Sequence, residues 1–222
     1  MDDLVAYYGE RAAEYERVYA KPERQSDLRA LHEIVGDFFT GRSVLEIACG
    51  TGYWTRTIGE RAISVRAFDL SPEVLALARA RQLTGVVDFR VGDAFDLPSL
   101  RTPVDAAFAG FWWSHVLRRD LPRFLRGLHR RLPVGSLVMF IDNRHVAGSN
   151  WPITRTDDDA NSYQRRRLEN GTEHEVLKNF PDPEEVRSAI RETGGSEVRV
   201  TELTYYWCAT YATSSGRLLP ET

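Results

Sequence analysis

The chain has 222 residues, of which 42% are hydrophobic and 27% charged, and it carries a formal net charge of −3 with a pI of about 6.0. This length can bury a substantial core, so we expect a single domain over residues 1–222. The slightly acidic balance argues against a nucleic-acid-binding surface built on bulk positive charge.

Compartment and membrane association are predicted from the same composition. No apolar run approaches the roughly 18 residues that span a bilayer, and the N-terminus does not read as a secretory signal. Cys49 and Cys208 are far apart in sequence, and there is no C-x-x-C pair. We therefore expect a reduced, cytoplasmic protein without a membrane partner. The sequence gives no indication of its oligomeric state.

The first forty residues predict two helices. Apolar and aromatic residues recur at spacings of three and four over residues 3–19, which is typical of an amphipathic helix. A second helix is predicted over about 24–40, and Gly41 ends it.

From residue 43 onward, predicted strands and helices alternate, which is the pattern of a parallel sheet covered on both faces. The predicted strands of this alternation are 43–47, 64–69, 86–91, 104–110 and 136–142. The predicted helices are 53–60, 72–82 and 120–132. The second of these has a clear start, because Ser71 can cap it and Pro72 stands at its first position.

The alternation stops after the fifth strand. Residues 143–181 are polar and show no regular pattern, and a connection of this length at the end of a strand predicts an active-site cap. A helix is predicted over 183–193, opened by a capping box of Asp182 and Glu185. Two closing strands bring the total to seven, at 197–203 and 205–212.

A glycine-rich turn, Cys49-Gly50-Thr51-Gly52, joins the first of these strands to the following helix. Glycines let a ligand approach the backbone closely, and a helix N-terminus offers N–H groups, so the turn predicts a nucleotide-binding loop. A dinucleotide fingerprint requires a third glycine where Thr55 stands. That departure disfavours an NAD-type dehydrogenase, which stays open as an alternative.

The run Leu-Glu-Ile-Ala-Cys-Gly-Thr-Gly at 45–52 resembles the first motif of the class I S-adenosylmethionine-dependent methyltransferases. The family usually has glycine where Ala48 stands, and we expect a small side chain to be tolerated there. The resemblance implies a Rossmann-like α/β fold with a seven-stranded sheet, helices on both faces and an antiparallel last strand. It also implies S-adenosylmethionine as the cofactor, an N-terminal helical lid over 1–40 and a substrate-cap insertion over 143–181 after the fifth strand.

The resemblance further implies which residues bind the cofactor. Asp69 lies 19 residues after Gly50, at the end of the second strand, and is expected to accept the ribose hydroxyls. Asp93 and Ala94 match the segment that meets the adenine amino group, and Phe111 begins the segment that lines the methionine part. The full set of predicted cofactor-binding residues is Tyr15, Glu46, Ala48, Gly50, Gly52, Trp54, Asp69, Leu70, Asp93, Ala94 and Phe111.

The first predicted helix reads Tyr-Tyr-Gly-Glu-Arg-Ala-Ala-Glu-Tyr over residues 7–15. Small methyltransferases of this type often begin in a similar way, and the likeness implies a lid that folds over cofactor and substrate. Tyr8, Arg11 and Tyr15 are candidates for lid contacts, with helix packing as the alternative.

The chemistry of methyl transfer divides the remaining candidates. Displacement at a sulfonium depends on alignment and on exclusion of water, and a base is needed only if the nucleophile arrives protonated. An alcohol or phenol acceptor would need a base such as His115 or Tyr8. A carboxylate, phosphonate or phosphate would need only cationic anchors. The predicted substrate-binding residues are Arg11, Trp112, Arg144, Arg165, Arg166 and Lys178.

Part of the cap favours the anionic acceptor. Residues 165–171 read Arg-Arg-Arg-Leu-Glu-Asn-Gly, Lys178 stands two residues before Phe180, and His115 follows the fourth strand. These features look similar to phosphonate O-methyltransferases of antibiotic biosynthesis. The predicted function is therefore O-methylation of a small anionic metabolite.

Other functions stay open at this point. One is methylation of an amine or phenol with a histidine or tyrosine base, and another is a non-catalytic protein that keeps the nucleotide fold. No metal is predicted, because Asp142 at the end of the fifth strand has no acidic partner at the end of the fourth.

Overall fold

The computed structural model describes residues 19–100, 102–168 and 170–214. Seven strands form the main sheet: β1 (Ser43–Ile47), β2 (Ser64–Asp69), β3 (Val87–Val91), β4 (Ala106–Gly110), β5 (Leu137–Asn143), β9 (Gly195–Glu202) and β10 (Tyr206–Thr213). Their order is β3-β2-β1-β4-β5-β10-β9, with β1 to β5 parallel and β10 antiparallel to both of its neighbours. The predicted seven-stranded sheet with an antiparallel last strand is confirmed.

Five α-helices accompany the sheet in the described part of the chain: α1 (Gln25–Phe38), α2 (Tyr53–Gly59), α3 (Pro72–Ala80), α4 (Leu121–His129) and α5 (Pro183–Glu192). Two predicted helix starts are confirmed. The Ser71 hydroxyl accepts the Val74 N–H at 3.2 Å, and Asp182 forms the capping box with Glu185. Predicted ends of strands and helices are displaced by three residues or fewer. The longest displacement is at α4, which stops at His129, because the Arg131 and Leu132 N–H groups bond to carbonyls three residues earlier in a tightened final turn.

The core lies on both faces of the sheet because successive strand residues point to opposite sides. On β1, Val44 packs with the residues of α1 and α2, whereas Leu45 and Ile47 pack with those of α4 and α5. Helix α1 is part of this core, with Leu31 and Val35 fully buried, so it packs as a structural layer. The first predicted helix lies outside the described residues except for Tyr19. None of the helices in the described ranges is both long and apolar enough to cross a bilayer.

The expectation of an irregular cap was wrong. Residues 143–181 contain an antiparallel sheet of three strands in the order β6-β7-β8, formed by β6 (Arg155–Thr156), β7 (Ser162–Arg167) and β8 (Glu173–Leu177). Its sequence is polar because only alternate residues are covered: Gln164 and Val176 are buried partners, while the next pair, Arg165 and Glu175, points outward. The polar outer face hid the strand pattern.

The cap is fastened to the turn that follows β4. The Asn179 N–H donates to the Ser114 carbonyl at 2.8 Å, and the Arg118 N–H donates to the Asn161 side chain at 2.9 Å. These bonds hold the small sheet over the carboxyl ends of β4 and β5. The cap therefore borders the edge at which the parallel strands end.

Candidate active site

The glycine-rich turn lies between β1 and α2, at the point where neighbouring connections leave the sheet on opposite sides. Open parallel sheets bind ligands in the crevice at such a switch point. Gly50 and Gly52 have φ angles of +57° and +78°, a left-handed backbone that glycine adopts without strain. Ala48 has φ +52°, which explains why glycine is favoured there; its methyl group costs about 1 kcal/mol in that conformation.

Asp69 supports this loop directly. One carboxylate oxygen accepts the Gly50 N–H at 2.9 Å, and the other accepts the Ser71 N–H at 3.0 Å. Burial raises the pKa of Asp69, while the hydrogen bonds from backbone N–H groups oppose that rise. Each oxygen has a second lone pair, so the carboxylate can brace the loop and still accept a ribose hydroxyl.

Three further predicted cofactor residues lie at the same edge of the sheet. Leu70 follows β2 and is exposed, whereas Asp93 and Ala94 follow β3 and are half-buried. The Asp93 carboxylate also accepts the Phe95 N–H at 2.8 Å and so shapes its own turn. The structure therefore brings together the residues predicted to contact ribose and adenine.

Trp54 is placed differently from its prediction. Its side chain is only 4% exposed and packs in the core with Tyr53 and Phe108. The predicted cofactor contact of Trp54 has no support from this position, because the indole fills the layer beneath α1. Phe111, with φ +59°, instead packs against Tyr19 and Tyr206, with ring centroids 5.7 and 5.6 Å apart.

A cavity lies between this Phe111 turn and the cap, and we call it the cationic cavity. Its basic lining residues are Lys21, Arg24, His115, Arg166 and Lys178. Its aromatic lining residues are Tyr19, Phe111, Trp151 and Tyr206. Among the described residues that line it, none is acidic. Since buried cations need compensating charge, this lining favours an anionic ligand.

Lys178 is one of the two most deeply buried of these cations, with a side chain that is 5% exposed. Its ammonium donates to Asp142 at 2.9 Å and to the Ser114 hydroxyl. Burial lowers the pKa of Lys178 to about 8; repulsion from Arg166 and Arg24 lowers it further, and Asp142 opposes both effects.

Arg165 and Arg166, both predicted to contact the substrate, lie on opposite faces of the hairpin in the cap. Arg166 lines the cationic cavity, and its Nη2 donates to the Gln164 amide oxygen at 2.8 Å. The side chain of Arg165 is 68% exposed and lies 3.9 Å from Glu173 on the outer face of the hairpin. The predicted substrate contact of Arg165 is therefore corrected, since adjacent strand residues face opposite ways.

The predicted substrate contacts of Arg144 and Trp112 are also corrected. Arg144 follows β5 but turns toward β9, where its Nε lies 2.9 Å from Glu202 and its Nη1 donates to the Leu203 carbonyl. Trp112 packs on Phe95 and Phe124, away from the cap. The rings of Phe111 and Trp112 lie on different sides of the turn because the backbone at Phe111 is left-handed.

His115 is brought to the cationic cavity by the turn after β4, and its predicted role stays a prediction. It lines the cationic cavity, and its Nδ1 is 2.7 Å from the Leu177 carbonyl oxygen. Because a carbonyl can only accept, neutral His115 carries its proton on Nδ1, and Nε2 is the atom that would take up a proton.

Two cations of the cationic cavity, Arg24 and Lys21, were not predicted from the sequence. Arg24 is buried; its Nη1 donates to Asn143 at 2.9 Å and its Nε to the Ser149 hydroxyl at 3.0 Å. Lys21 donates to the Ser149 carbonyl. No local pattern links residues 21–24 with a loop more than a hundred positions later, so the sequence carried no signal for them.

The remaining expectations concern lid contacts and metal binding. Tyr8, Arg11 and Tyr15 lie outside the described residues, and their lid contacts stay predictions. Within the ranges that the structure describes, no group of three or more His, Cys, Asp or Glu residues could hold a metal ion.

Strand order and loop together define the class of protein. The order β3-β2-β1-β4-β5-β10-β9, the left-handed glycine loop after β1 and the carboxylate at the end of β2 form a Rossmann-like methyltransferase fold. Comparison with known proteins agrees, since the methyltransferase domain family matches residues 44–135.

Individual relatives extend the likeness over the chain. The chain is 33% identical over 109 residues to malonyl-acyl-carrier-protein O-methyltransferase of Serratia marcescens, covering 48% of this chain and 40% of that protein. It is 29% identical over 177 residues to a ubiquinone biosynthesis O-methyltransferase of Xanthomonas oryzae pv. oryzae, covering 75% and 70%. The match thus spans less than half the length of the first of these relatives.

The solved structure of DhpI with SAH is similar over 97% of both chains, with a TM-score of 0.78 and 29% identity. DhpI with SAM and HEP gives the same TM-score at 28% identity, over 95% of this chain and 96% of that one. The chain therefore has the fold of the class I S-adenosylmethionine-dependent methyltransferases, with a methyltransferase domain over residues 44–135. The two DhpI structures contain SAH or SAM, in agreement with the predicted cofactor, S-adenosylmethionine.

Glu46 gives the cofactor side of the site a property that can be measured. The residue is 1% exposed, and burial raises its pKa to about 8, with Asp69 adding to the rise and Thr55 opposing it. Folded protein therefore holds this proton more tightly than unfolded protein, whose glutamates ionise near pH 4.5. Its contribution to stability is complete below about pH 4.5 and is lost as pH rises through about 8.

We expect Glu46→Gln to remove this loss, which is on the order of several kcal/mol. Urea unfolding of wild type and variant between pH 5 and pH 9 would measure it, with wild type losing stability relative to Glu46→Gln as pH rises. The exposed Glu60→Gln serves as the matched control and should run parallel to wild type. A pH-independent difference between wild type and Glu46→Gln would contradict the assignment.

Proposed function

We propose that this chain is an enzyme that transfers the methyl group of S-adenosylmethionine to an oxygen of a small anionic metabolite, a carboxylate, phosphonate or phosphate. The observation that carries the proposal is the cationic cavity, in which four basic side chains and His115 meet without an acidic lining residue. We further propose that residues 1–222 act as one domain, with 143–181 as the substrate cap and the N-terminal residues as a lid.

Mutual repulsion within the cavity supports an anionic occupant. Burial is the main cause that lowers the pKa of Lys178 and of Lys21. Repulsion from Arg166 and Arg24 lowers the pKa of Lys178 further, and repulsion from Arg24 lowers that of Lys21, where Glu23 opposes the shift. Asp142 contacts Lys178, but the set keeps an excess of positive charge. An anion placed among these groups would relieve the repulsion, and in a partly buried cavity the gain is larger than in water.

The cavity borders the cofactor side of the site through Phe111, which follows β4 and forms part of the cavity wall. The cofactor would be held by Gly50, Gly52 and Asp69. The two glycines form a left-handed turn that a ligand can approach closely, and the Asp69 carboxylate has lone pairs left to accept a ribose hydroxyl. The bound cofactor supplies a methyl group activated by its sulfonium.

The residues of the chain then have to align and shield the acceptor. An anionic oxygen arrives deprotonated, so no base is needed, and Lys178 and Arg166 would orient it by charge-assisted hydrogen bonds. Tyr19, Phe111 and Tyr206 present ring surface that excludes water from the reacting atoms. Alignment of this kind is where most of the acceleration of a displacement reaction arises.

One observation favours a second candidate function. His115 lies in the cavity with its tautomer fixed by the Leu177 carbonyl, which suits a general base for a phenol or an amine. In that reaction Trp151, which is half-exposed beside the cavity, would contact the acceptor ring. The pH dependence of the rate separates the two candidates.

Cofactor binding is the first test. Calorimetric titration of the chain with S-adenosylhomocysteine should give a dissociation constant of about micromolar or tighter. Titration with NAD should give no heat of binding, since Thr55 replaces the third glycine of the dinucleotide loop. Binding of NAD without the homocysteine compound would overturn the proposal and restore the dehydrogenase alternative.

Neighbouring arginines provide a matched pair for the acceptor site. In a screen of carboxylates, phosphonates and phosphates with labelled methyl donor, Arg166→Ala should raise KM by about tenfold or more, because it removes a charged hydrogen bond. Arg165→Ala removes the same charge from the outer face and should stay within about twofold. Equal effects of the two substitutions would show that the cavity does not bind the acceptor.

The charge on Lys178 sets the expected pH dependence. Its pKa is lowered to about 8, so the ammonium that binds the anion is present below that pH and lost above it. For a carboxylate acceptor, which stays ionised throughout, kcat/KM should fall by about tenfold per pH unit above about 8. A rate that instead rises through pH 6–7 would point to His115 as a base and to the amine or phenol acceptor.

A further inference from the structure

Asp142 is a buried carboxylate that the proposed reaction has not yet used. It lies at the carboxyl end of β5 and is 0% exposed. A carboxylate removed from water is costly unless charge and hydrogen bonds compensate it. Its partners therefore indicate what the residue does.

Both oxygens of Asp142 are occupied by groups of the acceptor site. Oδ2 accepts the Ser114 N–H at 2.9 Å, in the turn that also carries His115. Oδ1 accepts the Lys178 ammonium at 2.9 Å and the Asn143 N–H at 2.7 Å. One carboxylate thus joins the turn after β4, the end of β5 and the segment that follows β8.

The same carboxylate reaches a second cation indirectly. The Asn143 side-chain amide donates to Asp142 at 3.2 Å, and its oxygen accepts from Nη1 of Arg24 at 2.9 Å. Asp142 therefore fixes which way the Asn143 amide points, with its oxygen toward Arg24. Two cations of the cavity, on different segments of the chain, take their orientation from this one residue.

The distribution of lysine adds an independent observation. The chain has 29 lysine and arginine residues, yet Lys21 and Lys178 are its only lysines. Both line the cationic cavity. Lysine differs from arginine in that its charge responds readily to burial and to neighbours, so a nearby carboxylate can control it.

We propose that Asp142 is the positioning residue of the acceptor site, holding Lys178 charged and directed into the cavity and, through Asn143, holding Arg24 in place. The inference rests on the proposed function, because only an acceptor gives these cations a task. The hydrogen bonds of Asp142 do not depend on that function. Groups facing Lys178 are Asp142 from β5, Arg166 from β7, Arg24 from the segment before α1 and His115 from the turn after β4. Without Asp142, Lys178 would face Arg166 and Arg24 with no opposing charge.

The two lysines make a direct test possible. With ¹⁵N-labelled lysine, the full chain gives two side-chain signals, assigned by Lys178→Met, and their titration can be followed by NMR. We expect Asp142→Asn to lower the pKa of Lys178 by about one unit or more, because it removes the charge that favours the ammonium. Lys21 is bound to the Ser149 carbonyl and is linked to Asp142 only through Asn143 and Arg24, so its pKa should shift by clearly less than that of Lys178 and serves as an internal control.

Ser114→Ala is the matched control variant. It removes the hydroxyl contact to Lys178 but keeps the backbone N–H and the Asp142 charge, so its effect on the pKa of Lys178 should be smaller than that of Asp142→Asn. An unchanged Lys178 titration in Asp142→Asn would overturn the inference. Equal shifts of both lysines would do so too, because a general loosening of the structure predicts them.

A second variant covers the case in which Asp142→Asn does not fold. The double substitution Asp142→Asn/Lys178→Met also removes the buried ammonium that the single substitution leaves without its carboxylate, so it should unfold at a higher temperature than the single substitution. A double variant no more stable than the single one would contradict the coupling of the two residues.

Failure of the proposed function would look different. Neither the lysine titration nor the unfolding comparison needs an acceptor. If Lys178 responds to Asp142 as expected but wild type neither binds inorganic phosphate nor methylates any anion, the positioning role stands and the proposed function fails. If anions are methylated and Lys178 does not respond, this inference alone fails.

Discussion

Parallel strands must all end at the same edge of a sheet, and the candidate site of this protein depends on that constraint. The glycine loop follows β1, Asp69 closes β2, Asp93 follows β3, Phe111 follows β4 and Asp142 lies near the end of β5. Helices cover both faces of the sheet, so polar groups that a ligand can reach lie at the ends of the strands. Five segments far apart in sequence thereby become neighbours.

The two sides of the candidate site present different chemical groups. The cofactor side uses backbone N–H groups and carboxylates, with Asp69 bonded to the loop it supports. The proposed acceptor side is lined by cations from the cap and from residues 21–24. Phe111 stands between them, in a left-handed conformation that turns its ring to the cavity. Under the proposed function, this arrangement would align an anionic oxygen on one side with the sulfonium on the other, as methyl transfer requires.

The buried pair of Asp142 and Lys178 is hard to explain by stability alone. Apolar residues of similar size would often stabilise a fold at least as well, because a buried ion pair seldom recovers the full cost of removing both charges from water. The pair joins the cap to the sheet at the cavity wall, where Ser114 and Asn143 complete its hydrogen bonds. Its position is consistent with a group retained to hold one cation ready for an anion.

The sequence by itself determined the features that depend on neighbours along the chain. Strand and helix alternation, the glycine loop and the capping box of Asp182 all follow from patterns within a few residues, and the structure has each of them. The same local signals placed Asp69 at a strand end. The sheet was therefore predictable almost completely, and so was the meeting of Gly50, Asp69 and Asp93 at the carboxyl ends of its strands. The burial of Trp54 was not predicted, since it depends on how α1 packs.

Only the tertiary structure decided the acceptor half. Arg166 faces the cavity and Arg165 faces solvent because a hairpin with a polar outer face sets their parity, and that hairpin has no hydrophobic alternation to reveal it. Arg24 and Lys21 reach the cavity by contacts with Ser149, across more than a hundred residues. Local sequence specifies which way a chain turns, whereas the partner of a buried charge is fixed only when distant segments pack together.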